Sequence, residues 1–227
     1  MKQREMRGDI RVGECCIFCH RYFSELTREH TPSKILMNEP LPENLPIVYS
    51  CKECNSSFSL DEEYIACIIE CARCKSTQIC DLERLKVRQI LLKQKNLYDK
   101  IKRDNGANDI NRMKNVVTKL SICHLLFETN TLVEHNPDYF NFFFRDNVSI
   151  DKIDNFNKVN EIYIMPEISR CYDNILLMDS GEKLFYNWVT VQEGQYRYLC
   201  EYAEEMYVVK IVISEYAYFE IRWKDDL

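Results

Sequence analysis

The chain has 227 residues, of which 46% are hydrophobic and 29% charged, and carries a net charge of −6. This length allows one large domain or two small ones, the composition is that of an ordinary globular protein, and no apolar run approaches the length of a membrane-spanning helix. Residues 1–5 are charged with no apolar stretch behind them, so no secretory signal is expected, and the twelve cysteines are read as thiols in a reducing cytoplasm rather than as a disulfide framework.

Residues 10–75 hold closely spaced cysteines and the turn formers Pro32, Pro40, Pro42 and Pro46. Ile47-Val48-Tyr49-Ser50 reads as a short strand, and Ser59 or Asp61 as the cap of a helix running on through Glu62, Glu63 and Tyr64. Over 81–130 the period is helical. Leu82, Leu85, Val87, Ile90, Leu91, Leu97, Tyr98 and Ile101 recur at three- and four-residue steps, and Asp104-Asn105-Gly106 is expected to end that helix. A second helix puts Ile110, Met113, Val117, Leu120, His124 and Phe127 on one face, and the two are expected to form an antiparallel hairpin.

From about 159 to 227 the period changes to alternation. Tyr207, Val209, Ile211 and Ile213 fall on one face, with Val208, Lys210 and Val212 on the other. Ile162-Tyr163-Ile164, Leu184 to Val191, Tyr196 to Cys200 and Tyr218 to Trp223 are also strand-like, and Gly194 marks a hairpin turn. An antiparallel meander is expected. The stretch 136–158, rich in Asn, Asp and Phe, receives no assignment from its pattern.

Two Cys-x-x-Cys pairs, Cys16/Cys19 and Cys51/Cys54, have the spacing of zinc knuckles, each delivering two sulfurs from one tight turn to a tetrahedral Zn2+. Cys15 is spare, because Cys15-x-x-x-Cys19 fits a knuckle less well. Cys67, Cys71, Cys74 and Cys80 tempt a second metal reading, but the steps of four and three between the first three place them on one helix face, as core cysteines would be.

Between the knuckles lie Glu29-His30 and Asn44, and Asn55 follows Cys54 directly. The order Cys-x-x-Cys, His, Asn, Cys-x-x-Cys-Asn resembles the HNH, or ββα-metal, endonuclease motif. The resemblance covers about 55 residues and implies roles one by one. His30 matches the general base, Glu29 the acidic metal ligand before it, Asn44 the asparagine that braces the loop, and Asn55 the ligand at the helix start. It departs from the family where Lys34-Ile35-Leu36-Met37 replaces a glycine-rich stretch, and Glu63 is placed to approach the metal or brace its ligands. The implied architecture is α+β: an N-terminal zinc-bound ββα-metal module at 10–75, a central helical hairpin at 81–130 and a C-terminal antiparallel β region at 159–227.

The implied activity is phosphodiester hydrolysis using catalytic Mg2+ or Mn2+ beside the structural Zn2+. DNA is favoured over RNA as substrate. An acidic chain that binds nucleic acid needs a local basic surface, and 81–119 carries eleven lysines and arginines against five acidic residues. Lys34, Arg88 and Lys95 are the candidate contacts. Two rival readings stay open: a non-catalytic zinc-bound interaction module, and an effector subunit activated by a partner, as in antiphage defence. The C-terminal region could serve as a homo-oligomer interface, a protein-partner site or a second substrate face.

Overall fold

The computed structural model describes residues 3–4, 15–43, 45–103, 109–134, 136–161, 175–177 and 184–225. Asn44, the 104–106 helix stop, His135, the strand expected at 162–164 and Cys171 lie outside these residues. The chain is a mixed α+β protein with a five-stranded antiparallel sheet and a cysteine cluster near its N-terminus. No helix among the described residues is long and apolar enough to cross a membrane.

Strands β1 (Gln3–Arg4), β2 (Thr27–His30) and β3 (Leu45–Ser50) form a small sheet in the order β1-β3-β2, with β2 and β3 antiparallel. Helix α1 (Lys52–Ser57) leaves β3 at once, because the Cys51 thiol caps it by accepting the Cys54 N–H. Helix α2 (Ser59–Arg73) follows after Phe58, with no side-chain cap. The expected cap at Ser59 or Asp61 is therefore corrected: helical structure begins at Lys52, and the thiol does the capping.

The single helix expected before 104 is two, α3 (Leu85–Lys93) and α4 (Lys95–Arg103), broken at Gln94. Helix α5 (Ile110–Thr129) starts on an Asp109 cap and stops at Asn130 in the left-handed conformation. The helical hairpin is also corrected, because α3 packs mainly on α2 and α5 packs on α2 and the large sheet rather than on α3 or α4. The physical reason is the burial of α5 on nearly every side from Val116 to Glu128, so it needs neighbours all round. Ile110, expected on its apolar face, is exposed.

The large sheet has the order β4-β10-β9-β8-β7, built from β4 (Tyr139–Phe144), β7 (Val189–Gln192), β8 (Tyr196–Ala203), β9 (Met206–Ile213) and β10 (Ala217–Lys224). The last four make the expected meander, with Gly194 at φ +67° in the β7–β8 turn. Strand β4 comes from the unassigned stretch and pairs with β10. A separate antiparallel pair, β5 (Ile175–Leu177) with β6 (Leu184–Tyr186), completes the strands among the described residues.

Strand alternation sorts the large sheet into two faces. Tyr196, Tyr198, Val209, Ile211, Phe219 and Ile221 join the main core with α5 and α2. Val212, Tyr218 and Phe143 face α6 (Ile150–Asn157) through Ile153 and Phe156. Polar ties also lock α5 to β8. His124 Nε2 and the Tyr196 hydroxyl are 2.8 Å apart, the His124 ring stacks on Tyr198 at 3.7 Å, and the Tyr198 hydroxyl donates to Glu128. Full burial pushes His124 down to about 3, so this histidine is a neutral core group, as its place on an apolar helix face suggests.

Candidate metal centre and active site

Residues 15–22 form a tight turn. Cys16 N–H bonds the Arg21 carbonyl at 2.9 Å, His20 N–H bonds the Cys16 carbonyl at 2.8 Å, and Cys15 bridges to Tyr22. His20 takes φ 54° to close it. The turn docks on β3 through Ile17 N–H and the Tyr49 carbonyl. That places Cys16 and Cys19 beside Cys51 and Cys54 at the start of α1. The four sulfurs lie within 4.8 Å of one another. Tetrahedral zinc with ~2.3 Å bonds sets its sulfurs about 3.8 Å apart, so this soft four-thiol set can hold a metal such as zinc.

Burial is the largest single influence on Cys19 and raises it, but hydrogen bonds from the side chain and backbone of Arg21 and from the Cys16 and Cys54 thiols together outweigh it and hold Cys19 at about 6, whereas burial pushes Cys16 and Cys54 up. Cys15 is buried outside the cluster. Cys67, Cys71, Cys74 and Cys80 form no second metal-ligating group among the described residues.

The β2–β3 register pairs Thr27 with Ser50, Glu29 with Val48 and His30 with Ile47. Successive side chains therefore point to opposite sides, Thr27 and Glu29 to one and Arg28 and His30 to the other. His30 is half-buried at the end of β2. Burial lowers its pKa below the usual histidine value, and the Lys34 and Arg28 charges lower it further. The imidazole is neutral at pH 7, in a cationic setting. Asn55 serves the other side: its Nδ2 donates to Thr27 Oγ1 at 3.0 Å, and that hydroxyl donates to the Ser50 carbonyl at 2.8 Å. Asn55 thus ties α1 to the face of β2 that carries Glu29.

Glu29 is 6% exposed and already has a cation. Its Oε1 accepts from Lys119 Nζ at 2.6 Å, and Lys119, 1% exposed on α5, also donates to Glu62 and to Ser33 Oγ. Ser33 donates its own proton to Glu62. Burial raises the Glu29 pKa, with Lys119 opposing and Glu62 adding to the rise. Burial alone would lower Lys119, but the Glu62 and Glu29 carboxylates outweigh it and hold the ammonium charged. Two carboxylates and a hydroxyl are hard oxygen donors of the kind Mg2+ and Mn2+ take, and an ammonium stands among them.

Glu63 lies elsewhere, accepting from Gln94 across the α2–α3 junction, so the carboxylate that braces this cluster is Glu62. Sequence reasoning passed over both Glu62 and Lys119. One signal existed: Lys119 is the one charged residue in the apolar run from 115 to 127.

The basic run divides by role. Arg84 is buried and donates to Asn38 and to the Ile35 and Met37 carbonyls. Arg88 donates to the Leu82 and Cys80 carbonyls, and Arg112 pairs with Asp61 at 2.6 Å. Lys34 and Lys95 are exposed, and of the candidate nucleic-acid contacts Lys34 is the one whose charge acts on His30. Comparison of the chain with protein-family models, curated proteins and solved structures returned no match.

Proposed function

We propose that this chain is a metal-dependent endonuclease of the HNH type, with DNA favoured over RNA as its substrate. The observation that carries the reading is His30: a half-buried imidazole kept neutral by its burial and by the Arg28 and Lys34 charges, at the end of a hairpin whose second strand runs into the helix start that bears Cys51 and Cys54 of the four-thiol cluster. A neutral histidine near anion-attracting charges suits a general base acting beside a phosphodiester. His30 takes a proton from the attacking water, while Arg28 and Lys34 draw in the phosphate. Zn2+ in the Cys16, Cys19, Cys51 and Cys54 cluster holds the scaffold. The resemblance assigns Glu29 and Asn55 to a catalytic Mg2+ or Mn2+, which would supply positive charge at the scissile phosphate, but both lie on the β2 face opposite His30 and Glu29 is held by Lys119, so these two residues do not fit an ion beside the imidazole. The products then carry 5′-phosphate and 3′-hydroxyl ends.

Zinc-loaded protein, incubated with circular duplex DNA, single-stranded DNA and RNA in Mg2+, Mn2+ or chelator, tests this. Cutting that needs the divalent ion and disappears in His30→Ala supports it. A preparation that leaves all three substrates intact counts against it.

The second reading is a non-catalytic zinc module. The observation in its favour is that Lys119 already neutralises Glu29, so the carboxylate has a structural use. It predicts that His30→Ala leaves the biological activity of the chain unchanged.

A further inference from the structure

The turn that carries Cys16 and Cys19 runs on directly into His20, Arg21, Tyr22 and Phe23. Aromatic rings gain most when covered, yet Tyr22 is 70% exposed and Phe23 is exposed beside it. The Arg21 guanidinium lies 5.6 Å from the centre of the Phe23 ring and also bonds the Cys19 thiol, which ties these rings to a candidate zinc ligand. Among the described residues Arg21 has one carboxylate partner, Glu53 at 3.5 Å, with both side chains exposed. A pair of that kind is weak and leaves the cation available.

The register sets this turn beside the face of the hairpin that bears His30. Ile17 N–H reaches the Tyr49 carbonyl on β3 at 3.3 Å, and Tyr49 stands directly opposite Arg28 on β2. Opposite residues share a face, so Tyr49 is on the side of Arg28 and His30. The exposed charges of these stretches are Arg21, Arg28, Lys34 and Lys52 against Glu25 and Glu53, a local excess of two positive charges in an acidic chain. Rings and cations side by side suit a polymer of flat bases and phosphates. In a duplex the base faces are already stacked on one another, so a protein ring can take only an unpaired base.

We propose that the Arg21-Tyr22-Phe23 turn is a stacking platform for single-stranded nucleic acid, with Tyr22 and Phe23 taking unpaired bases and Arg21 and Arg28 the phosphates. The inference rests on nucleic acid as the partner, as in the endonuclease reading, and not on His30 as the base.

Fluorescence anisotropy with the zinc-loaded full chain, without added Mg2+ or Mn2+, tests it on three labelled probes: a single-stranded oligonucleotide, the blunt duplex of the same sequence, and an abasic strand of equal length. The wild type is expected to bind the single strand at least about fivefold more tightly than either of the others. Tyr22→Ala is expected to lose that margin while its affinity for the abasic strand holds, and Tyr22→Phe, which keeps the ring, is expected to retain it. Equal binding of single and abasic strands by the wild type overturns the proposal without recourse to any variant, as does absence of binding to all three probes. Unchanged single-strand affinity in Tyr22→Ala overturns it too. The readout does not depend on cleavage. Single-strand binding through Tyr22 with no cutting in Mg2+ or Mn2+ would sink the endonuclease reading alone, and cutting with no part for Tyr22 in binding would sink this proposal alone.

Discussion

At the scale of single residues, burial and two charges set the chemistry of His30. Burial lowers the imidazole pKa most, and Lys34 and Arg28 lower it further. A histidine with a depressed folded pKa is neutral down to a pH below the usual 6.5, so the acid limb of the cleavage profile belongs below that value. Lys34→Gln removes one repelling charge, and the limb is expected to move up toward 6.5 with its slope unchanged. Log rate against pH for both proteins checks this; a limb that stays put removes Lys34 from the electrostatics of the site. The same sign holds for stability. The unfolded chain binds the proton more readily, so the contribution of His30 falls as pH drops through 6.5 toward the folded value. The four-cysteine cluster was legible because its order and spacing are local. Lys119 was not, because its partners Glu29 and Glu62 are 90 and 57 positions away and leave no local pattern.

Among the elements, the β2–β3 hairpin and α1 stand on the cysteine cluster. Six residues of helix are too few to persist alone, and α1 is held by the Cys51 cap, the Asn55 tie to Thr27 and its neighbours Cys51 and Cys54 in the cluster. One zinc per chain is expected by elemental analysis. Cys51→Ser removes a ligand and weakens the cap together, and it is expected to lose the metal and lower the melting temperature by roughly 10 °C or more. Full zinc retention in Cys51→Ser would remove that thiol from the ligand set. The helix breaks were less legible than the knuckles. Hydrophobic period runs on through Gln94, from Leu91 to Leu97 and Ile101, so it carries no mark of the break. The Cys51 cap escaped because a thiol is a poor cap by composition, and acts here only through its place before the Cys54 N–H. Strand β4 escaped because four phenylalanines in six residues mask alternation.

For the molecule as a whole, α5 is the shared interior. One buried cluster joins Ile17 and Leu36 near the cysteines, Tyr64 and Ile68 on α2, Val117 and Leu125 on α5, and Val209 and Phe219 in the large sheet. Polar ties reinforce it at both ends: Lys119 to Glu29 and Glu62, and His124 and Glu128 to Tyr196 and Tyr198. A continuous core of this kind is expected to melt as one unit, with the zinc-loaded chain giving a single calorimetric transition. Two well-separated transitions would show that the sheet and the cysteine-bearing region are independent. The three stretches of composition were visible from the residues, but their union was not, because periodicity reports which face is apolar and not what covers it.

The central claim is that His30 is the base of a phosphodiester-cleaving site. Its most direct test is the single-turnover cleavage rate of circular duplex DNA by the zinc-loaded full chain in Mg2+, wild type against His30→Ala. The account predicts wild-type cutting and a fall of about a hundredfold or more in the variant. Equal rates in the two proteins would contradict it.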